Sequence, residues 1–272
     1  PIVWYKFNDN LQNAERQEFI AESVTNTANP AVKFADSKNK KGLLIDSNSG
    51  IVKTPLRVKI FDDYTVMAWV KLNSDNPNSL LPVMGEAIRD GSIQKGNYLI
   101  TMNHRSIYVS HVRLTNVEAA DVLGSAHYQL PAGQSFNNKW GNIALVVSSE
   151  LELYVNGEKV QLSNSQLTSK RTSGNYDHFI GGYMTDSGII LNFLGIIDDF
   201  KIFNGSSLNA EQILDHMGEV PIVCSQNSDC VEDFLCSAGN VCVLDRCANT
   251  QCESGKICNP SNGQCVVDSS TY

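Results

Sequence analysis

Two adjacent carboxylates stand inside an apolar, strand-like run, Phe193-Leu194-Gly195-Ile196-Ile197-Asp198-Asp199-Phe200-Lys201-Ile202-Phe203. Strand residues alternate between faces. The pattern therefore places Asp198 on one side with Ile196, Phe200 and Ile202, and Asp199 on the other with Lys201. An aspartate among such neighbours must be neutralised, pair with a cation or bind a metal, because an uncompensated buried charge is too costly. Glycoside hydrolysis needs two carboxylates flanking one bond, and alternation points Asp198 and Asp199 in opposite directions. The five histidines (His104, His111, His127, His178 and His216) have no serine or cysteine nucleophile motif beside them and read as surface or packing residues.

Eight cysteines supply the second piece of chemistry. All lie between Cys224 and Cys265, at Cys224, Cys230, Cys236, Cys242, Cys247, Cys252, Cys258 and Cys265. Their spacing lacks the Cys-x-x-Cys pairs and flanking histidines of zinc sites, so they read as disulfides. Disulfides imply an oxidising compartment, and the protein is expected outside the cytoplasm, secreted or at the cell surface. The segregation also marks a boundary, with one domain over 1–220 and a cysteine-rich module over 221–272. Within the module, Cys224 to Cys242 and Cys247 to Cys265 look like two copies of one unit. The sequence does not choose among the three pairings each copy allows.

The elements that must position these residues are short β runs separated by polar turns. Tyr64-Thr65-Val66-Met67-Ala68-Trp69-Val70 is rich in β-formers. Leu151-Glu152-Leu153-Tyr154-Val155 runs into Asn156-Gly157, a strong hairpin signal. After the carboxylate strand, Asn209 and Gln212 have capping-box spacing, and Ile213 and Met217 can face a sheet from one side of a short helix. Residues 115–140 read as long loops. With 272 residues and 42% apolar content, the chain can bury a large core.

Composition excludes several partners. A net charge of −8 without a lysine or arginine cluster argues against nucleic acid. No stretch is long and apolar enough for a transmembrane segment, and the strand-like start from Ile2 suggests that any leader was removed upstream. The cysteine-rich module, with six acids and two bases, carries −4 and should not bind anionic membranes.

The succession Val3-Trp4-Tyr5-Lys6-Phe7-Asn8, Leu43-Leu44-Ile45-Asp46, Tyr64 to Val70, Lys139-Trp140-Gly141-Asn142-Ile143-Ala144-Leu145-Val146, Leu153-Tyr154-Val155-Asn156-Gly157-Glu158 and Gly195 to Phe203 resembles the laminin-G-like branch of the concanavalin A-like lectin/glucanase fold. That resemblance implies an all-β, antiparallel jelly-roll β-sandwich. The cysteine-rich module resembles small dickkopf- or EGF-like knots. Related sandwiches often hold a structural calcium near the N-terminal strand. The resemblance therefore implies Ca2+ with Asp198 as the carboxylate ligand and Asn8 and Asp46 nearby. The alternative for Asp198 is a carboxylate satisfied by backbone N–H groups or a neighbouring Lys or Arg.

Glucanases of this fold carry three acids on one strand face, whereas Glu150-Leu151-Glu152 supplies two, so the resemblance implies a binding protein without catalytic residues. Trp4, Trp69 and Trp140 fall in core motifs and read as packing. His127 and Tyr128, in the expected loop region, are the ligand-binding candidates. The expected partner is a glycan or an extracellular or cell-surface protein. The alternative is a structural subunit of a surface filament or coat that self-assembles. Asn204-Gly205-Ser206 fits an N-glycosylation sequon at Asn204.

Overall fold

A computed structural model describes residues 3–15, 20–25, 31–37, 40–55, 63–90, 93–114, 120–168, 177–185, 188–217, 234–236, 242–244, 252–253, 256–258 and 264–267. The chain divides into two compact units, Pro1–Met217 and Gly218–Tyr272.

The first unit opens with β1 (Val3–Tyr5), β2 (Glu22–Val24), β3 (Lys33–Ser37), β4 (Lys40–Ile45) and β5 (Ile51–Lys53). Five long strands follow: β6 (Tyr64–Leu72), β7 (Leu81–Asp90), β8 (Ile93–Met102), β9 (Ser106–Leu114) and β10 (Ala120–Gln129). Then come β11 (Trp140–Val147), β12 (Leu151–Val155), β13 (Glu158–Lys159), β14 (Ser163–Leu167), β15 (Asp177–Ile180), β16 (Gly182–Thr185), β17 (Gly188–Asn192) and β18 (Gly195–Asn204), and the helix α1 (Ala210–Met217). Sheet one runs β13-β12-β11-β6-β18-β4-β3, with β1 also paired to β18; sheet two runs β14-β10-β9-β8-β7-β15-β5-β2. All their ladders are antiparallel, and the result is a jelly-roll β-sandwich.

Period-two alternation builds the core between the sheets. Tyr64, Val66, Ala68, Val70 and Leu72 of β6 face it, as do Met102 of β8, Ile107 and Val109 of β9, and Ile143, Leu145 and Val147 of β11. The remaining β6 positions point to the outside of sheet one, where Trp69 meets α1. Trp69 is buried there, and its indole N–H donates to the Met217 carbonyl at 3.1 Å. Trp69 thus packs, as expected, but beneath the helix rather than between the sheets. Trp4 and Trp140 are half-buried.

The local signals for hairpin and helix take the expected form. Asn156 and Gly157 both have positive φ, at 53° and 85°, the combination a two-residue type I′ turn demands. At the start of α1, the Asn209 N–H donates to Gln212 Oε1 and the Gln212 N–H to Asn209 Oδ1, closing a reciprocal capping box. Ile213 and Met217 are buried against the sheet.

Two expectations are corrected. The stretch 115–140, expected as loops, contains β10, a ten-residue strand laddered to β9 on one side and β14 on the other. Its small residues Gly124, Ser125 and Ala126 hide the alternation from a propensity reading, and two neighbouring strands supply the missing stability. The second correction concerns β18. Its pairing with β6 slips between Asp198, opposite Trp69, and Lys201, opposite Met67, so one residue is extra and Asp199 takes φ 46°. This β-bulge resets the alternation. Ile197, Phe200 and Ile202 join the inter-sheet core, whereas Asp198 and Lys201 share the outer side with Trp69 and Met67. Asp198 therefore does not share a face with Phe200 and Ile202.

The second unit contains two hairpins, β19 (Phe234–Cys236) with β20 (Cys242–Leu244) and β21 (Lys256–Cys258) with β22 (Cys265–Val267). Cys252 is disulfide-bonded to Cys265. Cys224, Cys230 and Cys247 lie outside the described residues. Among the described residues no helix is long and apolar enough to cross a membrane.

Candidate functional site

The bulge at Asp198 and Asp199 marks a seam. On one side β18 pairs with β6 along most of its length, but on the other it pairs with β4 at Gly195–Ile197 and with β1 at Phe200–Ile202. The two carboxylates sit where that partner changes. Asp198 accepts from the Asp199 N–H at 2.7 Å and from the Ser37 hydroxyl at the end of β3. Asp199 accepts from the Trp4 indole N–H at 2.9 Å, from β1. Side chains thus bridge the gap in the ladder.

Lys201 completes the cluster. It is only 5% exposed, its ammonium lies 4.5 Å from the Trp4 ring centroid, and it donates to the His216 carbonyl in the last turn of α1. Burial lowers the Lys201 pKa, while the charges of Asp199 and Asp198 partly restore it. Burial and the Lys201 charge likewise lower that of His216, whose ring meets Phe203 at 4.6 Å. Lys201 and Trp69 together satisfy carbonyls that a helix C-terminus otherwise leaves orphaned.

The residues expected around calcium are not gathered into one ligand set. Asn8 Oδ1 accepts from the Lys41 N–H at 3.3 Å, tying the segment after β1 to β4. Asp46 follows Ile45, which pairs with Gly195, and so lies four residues short of Asp198, on the order of 13 Å along the strand. Its carboxylate pairs with Lys33 at 2.8 Å and accepts from the Asn48 N–H at 2.8 Å. Burial pushes its pKa up, but those partners outweigh burial and hold it below the usual carboxylate range. Among the described residues no group of three His, Cys, Asp or Glu side chains could hold a metal ion. Asp198, Asn8 and Asp46 each have separate protein partners, so a calcium held by Asp198 would draw its other ligands from main-chain carbonyls. Melting with and without chelator tests the calcium expectation: a fall reversed by added calcium supports it, and an unchanged melting temperature sinks it.

Glu152 lacks the setting of a general acid. Glu152 accepts from the Tyr154 hydroxyl at 2.8 Å and pairs with Lys159 at 3.1 Å. Burial raises its pKa, but these partners overcome burial and leave it low, the wrong direction for a general acid. Burial, followed by the bond to Glu152, pushes Tyr154 up to about 12, and burial raises Tyr5 and Tyr98 as well. A raised folded-state pKa gives stability that is complete below the unfolded value near 10 and is lost as pH climbs through the folded value. The urea midpoint is expected to fall above about pH 10, and Tyr154→Phe to flatten that fall.

Sheet two carries the ligand-binding candidate His127 on β10. Register places Pro82, Thr101, Tyr108, His127 and Ser163 in one row across five strands. The core-facing residues Ile107 and Val109 flank Tyr108, so this row faces outward. Tyr108 and His127 stack at 4.5 Å with an interplanar angle of 11°, and His127 Nδ1 lies 3.2 Å from the Ser163 hydroxyl. Ser110 and Ser125, paired with one another, stand one position along the same face, with Gln166 opposite Ser125. Tyr128, next to His127 in the strand, turns the other way and packs against the core.

The β16–β17 hairpin lies over another part of this face. Tyr183 meets Tyr98 at 4.7 Å and presses onto Gly96, where a Cβ would come within 2.1 Å of its ring. The hairpin and the Tyr108–His127 pair thus occupy different parts of the sheet.

The sequence candidates are therefore separated: His127 is on the outer face, Tyr128 is inside, and Asp198 belongs to the seam. Tyr108, missed as a candidate, was legible from the alternation in Ile107-Tyr108-Val109-Ser110-His111. His111 and His178 are buried packing residues, His111 beside the Tyr64 hydroxyl at 3.0 Å and His178 3.4 Å from Glu86.

Comparison with known proteins bears on this arrangement. Domain 4 of an extracellular arabinanase from Geobacillus stearothermophilus, solved in complex with arabinotriose, is similar over 79% of this chain and 97% of its own, at 17% identity and TM-score 0.52. The binding domain of botulinum neurotoxin serotype D is similar over 89% of this chain and 60% of its own, at 18% identity and TM-score 0.55. The binding domain of Paraclostridial Mosquitocidal Protein 1 is similar over 78% and 50%, at 15% identity and TM-score 0.52. The match thus spans about half to three fifths of the toxin binding domains. No curated protein matches the sequence significantly. The laminin-G-like model of the concanavalin A-like lectin/glucanases superfamily matches residues 46–214, more than half of the chain, and this protein belongs to that family.

Proposed function

We propose that this protein is a non-catalytic binding protein acting outside the cell, and that it recognises glycan on the outer face of sheet two, at the Tyr108–His127 platform. The observation that carries this reading is the stacked pair itself, half-buried beside Ser110, Ser125 and Ser163. An aromatic stack bordered by hydroxyls combines apolar ring area with polar partners, as a sugar with an apolar face and a polar edge requires. The company of binding domains among the similar structures, one of them with a bound arabinose oligosaccharide, agrees with it. The engagement of Asp198 and Asp199 in the seam and of Glu152 with Lys159 supports the non-catalytic reading.

A glycan array with the intact protein tests the reading. Saturable binding is expected, and Tyr108→Ala or His127→Ala should weaken it by about fivefold or more, the loss of at least ~1 kcal/mol typical of a contact residue that matters. Tyr128→Phe should leave it unchanged. Equal binding by all three variants would sink the site.

The cysteine content and the Cys252–Cys265 bond support an extracellular setting. The cysteine-rich region then acts as a dickkopf- or EGF-like spacer, and Asn204, half-buried at the end of β18 before a left-handed Gly205, is the acceptor of an N-linked glycan. A second reading, self-assembly as a filament or coat subunit, is favoured by β14. That edge strand, Ser163-Asn164-Ser165-Gln166-Leu167, carries no charge or proline to block strand addition. Concentration-dependent assembly in sedimentation, without glycan binding, would favour it.

A further inference from the structure

The Tyr108–His127 stack is held from the side by Ser163, an exposed residue of the edge strand β14. Its hydroxyl oxygen lies 3.1 Å from the His127 carbonyl oxygen and 3.2 Å from His127 Nδ1. The hydroxyl has a single hydrogen, and a carbonyl oxygen can only accept. Both contacts are therefore satisfied in one way: the hydroxyl donates to the carbonyl and accepts from Nδ1–H. A neutral imidazole carries one N–H, so a proton on Nδ1 leaves Nε2 as a bare lone pair. That atom is buried and has no hydrogen-bond partner among the described residues.

We propose that Ser163 is the positioning residue of this platform and that a proton opens it: Ser163 holds His127 flat on Tyr108 as the neutral Nδ1–H tautomer, and protonation of the ring releases it. This rests on the reading of the stacked pair as the glycan site. Acid can add its proton only at Nε2, the one free lone pair of the ring. The product is an imidazolium with a second N–H that meets no acceptor among the described residues, and a buried charged donor without a partner is costlier than a neutral one. Attraction of the new charge to the Tyr108 ring opposes release. At the surface that attraction is the weaker of the two, and turning the half-buried ring into water relieves the charge. The aromatic surface on which a sugar would lie is then broken up.

The surroundings do not offset the charge. Beside His127 on this face, Ser110, Ser125, Gln129, Ser163 and Gln166 are uncharged. Tyr108 is the titratable group stacked on the ring, and histidine is the side chain that ordinarily changes charge between pH 5 and 8. Arg105, exposed in the turn before β9, is itself a cation and offers no compensation.

Nitrogen NMR of the histidine rings in the intact, ligand-free protein tests the lock. At about pH 7.5, where histidine is ordinarily neutral, His127 is expected to show a protonated Nδ1 and a bare Nε2, with nuclear Overhauser contacts to the Tyr108 ring. Ser163→Ala should lose the Nδ1–H signature and weaken those contacts, whereas Ser163→Thr, which keeps the hydroxyl, should retain both. An Nε2–H tautomer in the unaltered protein, an unchanged signature in Ser163→Ala, or its loss in Ser163→Thr overturns the proposal.

Titration of the same sample to about pH 5 tests the opening. The contacts to Tyr108 should vanish as His127 takes up its proton, while the resonances of the core strand β6 stay in place. A ring still stacked at that pH, neutral or charged, overturns the gate. On the glycan array, apparent affinity for the strongest hit should fall on the order of tenfold over this range, and an unchanged affinity also overturns it. An array silent at both pH values overturns the glycan reading alone, because the ligand-free spectra still decide the gate.

Discussion

Replacing Lys201 by alanine is expected to destabilise the first unit by about 3–5 kcal/mol, the usual cost of stranding a buried charge. The melting temperature should fall by ~2–4 °C for each kcal/mol. Three interactions end together. Asp199 and Asp198 lose the charge of Lys201, Trp4 loses one of the two ammonium groups over its ring, the other being that of Lys6, and the His216 carbonyl of α1 loses its donor. Lys201→Met keeps the aliphatic stem but not the charge, so most of the loss should persist. Adding Asp199→Asn to Lys201→Met should recover part of it, because the stranded carboxylate is then removed. A double-mutant cycle should report a coupling of about 0.5–3 kcal/mol. A coupling near zero would mean that the seam does not depend on charge compensation. Limited proteolysis near α1 should rise in step with the loss, since Lys201 and Trp69 hold the last turn of the helix.

Gly195→Ala is the second large effect. Gly195 begins β18 with φ +147°, and a Cβ there would lie 2.0 Å from the Lys71 carbonyl oxygen and 3.0 Å from Leu72 Cα. Both obstacles are backbone of the central strand β6, which cannot turn aside as a side chain can. The backbone conformation costs about 1–3 kcal/mol for a residue with a side chain, and forced overpacking costs roughly a further 1–3 kcal/mol. Gly133→Ala is the matched control, with φ +87° and nothing within 4 Å of the added carbon. It carries the conformational strain without the clash. Chemical denaturation of both variants separates the two contributions, and equal losses would show that β6 yields at this point.

These two residues bracket the part of the fold where sequence and structure differ most. The apolar character of the strand and the capped helix after it were legible, because each rests on local pattern. Asn156-Gly157 likewise fixes its hairpin through backbone conformations that few other residues accept. What local pattern could not carry was the extra residue at Asp199. A bulge has no periodic signature, and one inserted position reverses every later face assignment. The expected sides of Asp198 and Lys201 depended on that phase.

The binding face shows the same division. Alternation through Ile107-Tyr108-Val109 is written in the sequence, but the stack of Tyr108 on His127 depends on the register between β9 and β10, a contact between residues distant in the chain. The small residues of β10 conceal its strand, and only its two neighbours stabilise it.

By itself, then, the sequence determined the sandwich, the cysteine-rich region and the short helix, because hydrophobic periodicity, turn chemistry and cysteine spacing act locally. Tertiary structure alone decided that Asp198 and Asp199 bridge a seam between β1 and β4 and that His127 and Tyr128 part company. Those outcomes depend on which strands lie side by side and in what register, and long-range pairing is not encoded at any single position.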